Sequence, residues 1–381
     1  MDRRRFVRVV GGSAILAATA TGCSSTLPPS AVQAWQGPGD AEPDLRRWAL
    51  RHAVLAPHSH NLQSWLVDLR QPGEILLHCD LGRLLPETDP FSRQIMMSHG
   101  TFIELLDLAA RQRGHRAEVN LFPEGEFGPK VLDARPVARI RLVPDTDAPD
   151  PLFAQIRHRH TNREAYTPRE PAADALRAIA QSVPPQAAKV GFAGGSRPDL
   201  LATHRTIAAQ AWRIELETPR TIMESYRVLR VGPVEIARHR DGLSINSPML
   251  RAMAAVGLLD RSQAPGPKDY ATTSQVEQFQ GKLAATPAFF WMTTAANDRR
   301  TQVNAGRAYV RAQLAATAHG LAMQPLSQAL QEYPEQAAPY ARIHSMLAAP
   351  GHTVQMWARL GYGPAIGPSP RRGLDAHLMA A

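Results

Sequence analysis

Two segments of this chain match each other, and this internal similarity constrains the fold more than any other feature of the sequence. Residues 100–114, GTFIELLDLAARQRG, match residues 306–320, GRAYVRAQLAATAHG, at five of fifteen positions with a constant offset of 206. Each segment belongs to an amphipathic pattern that predicts a long helix followed by a strand or turn. A repeated unit of this kind indicates duplication. We therefore expect two related halves joined in one chain.

Hydrophobic periodicity predicts helices and strands along the whole chain. The helical patterns cover residues 44–55, 92–112, 199–229 and 299–319. The strand patterns cover residues 64–69, 74–79, 117–122, 137–143, 189–194, 288–294 and 352–360. Helices and strands alternate along the chain, but short hairpins also occur, so an α+β fold suits the pattern better than a doubly wound parallel sheet. The two halves are predicted over residues 44–150 and 151–381.

The first 23 residues have the features of an export signal. Arg3, Arg4, Arg5 and Arg8 precede a short apolar run and then small residues before Cys23. The apolar run is shorter than the roughly 20 residues that cross a bilayer core. The order Arg-Arg-Arg-Phe-Val is similar to a twin-arginine signal, which exports folded proteins. ATGC is similar to a lipoprotein cleavage site, so we expect a periplasmic protein or a membrane-anchored lipoprotein acylated on Cys23, with residues 24–43 as a linker.

Residues 232–273 lack steady periodicity and contain the turn-rich sequences GPVE, HRDGLSINSP and APGPKD. A stretch of this length inside a compact protein is typically a functional lid or an insertion. We therefore expect a lid over this range in the second half.

Composition argues against several classes of protein. The 43 Lys and Arg against 34 Asp and Glu give a net charge of +9, but no dense basic run indicates a nucleic-acid face. Cys79 is the only cysteine beyond the signal, so neither an intrachain disulfide nor a multi-cysteine metal site is expected. The pairs His58/His60 and His158/His160 have no carboxylate near them in sequence, and HExxH is absent, so no metal site is predicted. The sequence also lacks GxSxG, a P-loop and a Gly-rich dinucleotide loop.

Four polar segments remain as candidates for a ligand site. Residues 56–65, APHSHNLQSW, carry several hydrogen-bonding side chains and are compatible with a metal, a substrate or a cofactor. Arg159, Thr161 and Arg163 alternate in a way that suits a phosphate. After Gly320 a turn through Pro325 leaves backbone N–H groups free for a ligand. The fourth segment, GPSPRRGL, carries paired arginines near the C-terminus.

These segments resemble motifs of the nitroreductase-like FMN-binding family. LAPHSHNLQSW is similar to its APSxxNxQPW segment, and RHTNREAY to its opening RRSxRxF. GLAMQPLSQ resembles its GLGSxPIxGF turn, and ARLGYGPAIGPSPRRGLDAHL resembles its C-terminal end. The opening motif lies in the middle of this chain, as in the Acg-type branch, where one chain is similar to a whole nitroreductase homodimer. The resemblance therefore implies an intramolecular pseudo-dimer acting as a monomer, with one FMN between its halves.

The resemblance also implies a role for each candidate residue, and none of them is a catalytic acid or base. Arg159, Thr161 and Arg163 would hold the FMN phosphate, with Arg371 and Arg372 closing over it. Backbone N–H groups near Ser327 and Gln328 would face flavin N5 and O4, where donors favour the reduced form. The residues expected to form a cofactor loop are Pro57, His58, Ser59, Asn61 and Gln63. His58 and Ser64 depart from the family pattern, which has serine and proline there.

Three functions agree with these features. The first is an FMN-dependent oxidoreductase that passes hydride or electrons through FMN to a nitroaromatic or quinone-like acceptor, with NAD(P)H as a candidate electron donor. The second is a protein that binds or sequesters FMN beneath its lid without turnover. The third is a solute-binding lipoprotein for another phosphate-bearing ligand, which would be colourless when purified.

Overall fold

The computed structural model describes residues 26–39, 41–248, 251–252 and 260–380. The predicted export signal and Cys23 lie outside these residues. Within the described part of the chain, no helix is long and apolar enough to cross a membrane.

The described chain begins with a short helical segment that packs against the C-terminal tail. Helix α1 (Pro29–Val32) continues into a 3-10 turn (Gln33–Gln36), inside the range expected to be a linker. Trp35 has only 8% of its surface exposed, and its indole N–H donates to the carbonyl of Ser369 at 2.8 Å. This part of the expected linker therefore belongs to the folded body.

The first half runs in the order helix, two strands, long helix, two strands. Its elements are α2 (Leu45–Ala53), β1 (Trp65–Asp68), β2 (Glu74–Cys79), α3 (Arg93–Arg111), β3 (His115–Leu121) and β4 (Pro136–Pro144). The strands form an antiparallel sheet in the order β1-β2-β4-β3. Alternate residues of β2 (Ile75, Leu77 and Cys79) are buried, because successive side chains of a strand point to opposite faces.

The second half contains the same series of elements with two additions, an insertion between its first two strands and a further helix between its last two. It begins with α4 (Ala173–Ser182) and β5 (Lys189–Ala193). The insertion comprises α5 (Pro198–Glu217), α6 (Pro219–Arg227), β6 (Leu229–Val231), α7 (Gly232–His239), β7 (Leu243–Ile245) and α8 (Tyr270–Ala284). The half ends with β8 (Ala288–Thr294), α9 (Arg299–Ala318), β9 (Ala322–Pro325), α10 (Ala337–Leu347) and β10 (Thr353–Gly361).

The two four-stranded sheets have the same topology. The second sheet is antiparallel in the order β5-β8-β10-β9, so β5, β8, β9 and β10 take the places of β1, β2, β3 and β4. In each sheet a long helix, α3 or α9, connects the second strand to the third. The α+β class and the two related halves expected from the sequence are both present.

Helices α3 and α9 cross at two glycines. A Cβ built on Gly100 would lie 1.9 Å from the carbonyl oxygen of Val303, and one on Gly306 would lie 1.9 Å from that of Met97. Val303 follows Met97 by the same 206 residues that separate the glycines. Exchanging the halves therefore leaves the contact unchanged, as in the isologous interface of a two-fold dimer.

The first residue of each long helix repeats this symmetry. Arg93 begins α3, and its guanidinium donates to the carbonyls of Gln355 and Leu330 in the second half, both at 2.9 Å. Arg299 begins α9, 206 residues later, and donates to the carbonyl of Phe91 in the first half at 2.7 Å. Both arginines are 1% exposed. Each half thus contributes a buried arginine that forms hydrogen bonds with backbone carbonyls of the other half.

The insertion is longer and more regular than the sequence predicted. It extends from residue 198 to residue 284, and the expected irregular stretch at 232–273 contains α7, β7 and the start of α8. The single helix expected over residues 199–229 is instead two helices, which meet at Thr218. Pro219 accounts for the break, since proline has no N–H to continue the helix but fits its first turn.

A side chain at the helix crossing should destabilise the whole molecule. Gly100→Ala places a methyl group against the Val303 carbonyl, and separating packed helices typically costs about 1–3 kcal/mol or more. We expect a lower free energy of unfolding, measured by urea denaturation. Gly281→Ala in α8 is the matched control, because its Cβ would meet nothing within 4 Å. It should be neutral or stabilise by about 0.5–1 kcal/mol. Equal losses of unfolding free energy in both variants would contradict the close contact between α3 and α9.

Candidate functional site

A cavity of about 230 Å³ lies between the two halves. This is large compared with the space that a few buried waters occupy, so the cavity suits a ligand. The first half contributes residues 57–60 and one face of α3, including Gln94 and Ser98. The second half contributes Thr161, Arg163 and Tyr309, together with the turn after β9. Helices α5, α6 and α8 of the insertion supply a further wall.

The loop between α2 and β1 is held in an unusual backbone conformation. His60, Asn61 and Gln63 have φ values of 48°, 54° and 55°, a region that residues other than glycine occupy only at some cost. Such strain persists where surrounding contacts determine it, and it is concentrated at ligand sites. The loop carries five of the predicted cofactor-binding residues.

His58 fixes the start of this loop as a neutral imidazole. Its Nε2 accepts a hydrogen bond from the amide of Ser64 at 3.1 Å, so the ring proton is on Nδ1, which lies 2.7 Å from the carbonyl of Ser59. Burial moves the pKa of His58 well below its ordinary value. The ring lies edge-on to Trp65, with 5.0 Å between ring centroids. His58 therefore contacts the cavity as an uncharged group.

The rest of the loop binds to the C-terminal tail. The amide of Asn61 donates to the carbonyl of Pro370 at 3.0 Å, and its oxygen accepts from the guanidinium of Arg371. The amide oxygen of Gln63 accepts from the backbone N–H of Arg372 at 2.9 Å. The Arg372 guanidinium donates to the carbonyl of Gln63 at 2.5 Å. These contacts connect the first half to the last residues of the second.

Arg159 and Arg371 form a buried pair of like charges against Trp35. Their guanidinium carbons lie 5.9 and 5.4 Å from the centre of the indole ring. Arg159 donates to the carbonyl of Leu55 at 3.1 Å, and Arg371 to that of Ala56 at 3.1 Å. Burial lowers the pKa of Arg159 to about 10, and burial together with Arg159 lowers that of Arg371 well below its ordinary value. Neither has a carboxylate within salt-bridge distance in the described part of the chain.

One end of the cavity is cationic and rich in hydrogen-bond donors. Arg163 is exposed and lines the cavity, and among the described residues its guanidinium has no hydrogen-bond partner and no salt bridge. The ammonium group of Lys282 donates to the carbonyl of Arg163 at 2.7 Å, and burial lowers its pKa to about 8. The hydroxyl of Tyr309, which is 3% exposed, has no hydrogen-bond partner among the described residues. Thr161 lies on the same wall.

The turn after β9 offers backbone donors to the same cavity. The amide of Leu326 donates to the carbonyl of Trp357 at 2.7 Å, which fixes the turn on β10. Ser327 and Gln328 follow at the start of a 3-10 helix. Among the described hydrogen bonds, none is donated by the backbone N–H of either residue. The first amides of a helical turn have no partner within the turn, so they are available to a ligand.

The structure divides the predicted site residues into two groups. Seven of them line the cavity: Pro57, His58, Ser59, Thr161, Arg163, Ser327 and Gln328. The other five are not among the residues that line it: Asn61, Gln63, Arg159, Arg371 and Arg372. Those five lie behind the cavity wall, where they hold the loop and the tail together.

Several cavity residues were not predicted from the sequence. Lys282, Tyr309 and Glu215 lie on helices α8, α9 and α5, at positions that the motifs do not include. Helical periodicity alone would have assigned Tyr309 to the core. The only sequence signal for Lys282 was its rarity, since this Arg-rich chain has just four lysines.

Metal binding has no support in this part of the molecule. No group of three or more His, Cys, Asp or Glu is arranged to hold a metal ion among the described residues. The imidazoles of His58 and His60 instead have hydrogen-bond contacts to Ser59, Ser64 and Ser225.

Two curated proteins of Mycobacterium tuberculosis are similar to this chain along most of its length. "Putative NAD(P)H nitroreductase MT3217" (strain CDC 1551 / Oshkosh) is 29% identical over 343 residues, which are 86% of this chain and 89% of that protein. "Putative NAD(P)H nitroreductase Rv3131" (strain ATCC 25618 / H37Rv) gives the same values. No family model matches the chain.

Solved nitroreductase structures overlap with part of the chain. The FMN-dependent nitroreductase NfnB from Mycobacterium smegmatis, in complex with NADPH, has a TM-score of 0.38 at 20% identity and covers 60% of this chain and 96% of its own. The structure of a "putative nitroreductase" from Anabaena variabilis has a TM-score of 0.38 at 11% identity, over 76% of this chain and 69% of its own.

Proposed function

We propose that this protein is an FMN-dependent oxidoreductase that passes electrons from NAD(P)H to a small nitroaromatic or quinone-like acceptor. One observation carries the proposal: the cavity between the halves combines a cationic end, to which the described residues provide no salt bridge, with a turn whose two backbone amides donate no described hydrogen bond. The names of the mycobacterial relatives, which describe NAD(P)H nitroreductases, support the same activity.

The cationic end fits the phosphate of FMN. A phosphate dianion accepts several charge-assisted hydrogen bonds, and Arg163, Lys282, Thr161 and Tyr309 present donors of the required kinds on one part of the wall. The buried hydroxyl of Tyr309, which has no hydrogen-bond partner among the described residues, would gain one from a bound phosphate. The five predicted residues behind the wall position this surface without contacting the phosphate.

The turn at Ser327 and Gln328 fits the redox edge of the flavin. Backbone donors aimed at N5 and O4 stabilise the negative charge that develops on reduction. When bound, FMN supplies the hydride and electron transfer chemistry itself. The chain's residues orient it: Pro57, His58 and Ser59 provide the wall from the first half, and the turn provides the wall from the second.

A second candidate function is FMN binding without turnover. The observation that favours it is the insertion, since α5, α6 and α8 all contribute to the cavity wall and restrict access to it. A nicotinamide would have to reach the flavin past these helices.

FMN affinity should depend on Arg163. Arg163→Met removes a charge-assisted bond worth about 1.5–3 kcal/mol, so the affinity should fall about ten- to a hundredfold. Isothermal calorimetry on the flavin-free protein measures the change. Arg177→Met, an exposed arginine of α4, is the control and should bind FMN like the wild type. If Arg159→Met weakened binding and Arg163→Met did not, the phosphate would lie beside Trp35 instead.

Reduction by a nicotinamide separates the two candidate functions. We expect the purified protein to be yellow and its flavin absorbance to bleach when NADH or NADPH is added without oxygen. The colour should return on addition of a nitroaromatic or a quinone. A flavin that only dithionite reduces would establish sequestration, and a colourless protein that does not take up FMN would exclude both functions.

We also propose export by the twin-arginine route, supported by the basic and apolar order of residues 1–23. Replacing Arg3 and Arg4 together by lysine should leave the protein in the cytoplasm when cells are fractionated. Arg8→Lys is the control and should be exported normally. Export of the double variant at the wild-type level would contradict this route.

A further inference from the structure

Glu215 is a buried carboxyl group that the proposed function does not use. It lies near the end of α5 and is 5% exposed. Among the residues that line the cavity in the described part of the chain, it is the only carboxylate. A buried acid in a ligand cavity is costly as an anion, so its presence there calls for a chemical reason.

The groups around Glu215 hold it in place without neutralising it. The side-chain amide of Gln331 donates to its Oε2 at 2.7 Å, and the side chain of Gln328 also forms a hydrogen bond with it. The charged group nearest on α6 is Glu224, which repels a second negative charge. On α3, Arg93 is occupied by the carbonyl of Leu330 at 2.9 Å. Burial, and to a smaller extent Glu224, raises the pKa of Glu215 to about 7.

Gln328 places Glu215 beside the proposed redox edge. The same residue lines the cavity in the turn after β9, its backbone N–H donates no described hydrogen bond, and its side chain forms a hydrogen bond with the carboxyl. An acceptor molecule lying against that edge would therefore have Glu215 within reach of one of its polar atoms.

The wall around Glu215 selects a flat, apolar acceptor. Helices α5, α6 and α8 contribute Trp212, Leu216, Ile222, Tyr226 and Phe279 to the cavity. Aromatic and aliphatic side chains of this kind suit a ring that carries few charges. A carboxylic acid among them suits an oxygen that becomes basic during the reaction.

We propose that Glu215 donates a proton to the carbonyl oxygen of a quinone-type acceptor bound against the insertion helices. The inference rests on the proposed function and names the acceptor class and a proton donor within it. Two electrons and one proton reach the quinone as a hydride derived from the nicotinamide donor. This leaves a hydroquinone monoanion, whose oxygen takes the proton of the Glu215 carboxyl. The O–H bond of Glu215 breaks, neutral hydroquinone leaves, and water returns a proton to the carboxylate.

The rate of proton transfer should fall as the pH rises, because only the protonated form of Glu215 can donate. Below pH 7 Glu215 is protonated and the step is fast; above pH 7 the carboxylate accumulates and the step slows. An acceptor that already carries a negative charge is disfavoured above the same pH, because it would meet a second anion in an apolar wall.

Reoxidation by 1,4-benzoquinone tests the proposal directly. The FMN-loaded protein is reduced with dithionite and mixed with benzoquinone in a stopped-flow instrument at several pH values. The wild-type rate should fall as the pH rises through about 7. Glu215→Gln should slow reoxidation at pH 6 by about a hundredfold or more and remove the pH dependence. Glu215→Asp keeps an acid and should recover part of the rate.

Glu224→Gln is the matched control, since Glu224 is equally buried on the next helix but does not line the cavity. It should keep a pH-dependent rate, with the midpoint shifted to lower pH because Glu215 loses the repulsion from Glu224. Wild-type rates and pH dependence in Glu215→Gln would overturn the proposal. Because dithionite reduces the flavin without NAD(P)H, this result is separate from failure of the proposed function, in which the protein holds no FMN or NAD(P)H does not reduce it.

Infrared spectroscopy provides a measurement without turnover. The difference spectrum between the wild type and Glu215→Gln, both with FMN bound and oxidised, should contain the C=O stretch of a protonated carboxylic acid at pH 6. That band should disappear as the pH rises through about 7. A carboxylate band at pH 6 would overturn the assignment of Glu215 as the acid.

Discussion

The close contact between α3 and α9 at Gly100 and Gly306 is the constraint on which the rest of the structure depends. It allows two long helices to approach backbone to backbone, and it fixes the halves about an axis that relates residue i of α3 to residue i + 206 of α9. The halves then share a core, since Val303, Val310 and Leu314 of α9 pack into the hydrophobic cluster of the first half.

A two-fold arrangement would produce two equivalent cavities, but the halves are not equivalent. The insertion occurs in the second half, and three of its helices wall the cavity described above. Around the start of α9, Arg300 donates to the carbonyl of Leu121 at 3.3 Å and lies 6.0 Å from the ring centre of Phe122. Arg300 occupies the position in α9 that corresponds to Gln94 in α3, so protein groups pack against this position in the first half. The duplication supplies the frame, and the insertion makes one of the two sites distinct.

Buried arginines that bond to backbone carbonyls are the second recurring device. Arg93, Arg159, Arg299 and Arg371 each donate to carbonyls of a segment distant in sequence. Such an arginine satisfies several backbone acceptors at once, and its removal leaves them unpaired, which costs more than the bonds themselves contribute. At the loop of residues 57–63 these contacts also sustain three positive φ angles. The strained loop can therefore present His58 and Ser59 to a ligand in one conformation.

Sequence patterns predicted those parts of the structure that depend on local periodicity. The bounds of α3 and α9 agree with the helical patterns to within one residue, and β2 and β8 agree with the strand patterns, because each has a continuous buried face. The break between α5 and α6 at Pro219 was not predicted, although a proline is a helix-breaking signal, because the helical spacing of apolar residues continues on both sides of it. The site was harder to predict. The motifs together predict that Arg159, Arg371 and Asn61 lie near one another. They do not predict the direction of the two guanidinium groups, which pack against Trp35, a residue far away in sequence.

The most direct test of this account is a crystal structure of the protein purified with FMN. We predict one flavin per chain between the halves, with its phosphate within hydrogen-bond distance of Arg163 and Thr161 and its N5 edge at the amides of Ser327 and Gln328. A phosphate between Arg159 and Arg371 with Trp35 displaced, or a flavin bound away from the α3–α9 crossing, would contradict it.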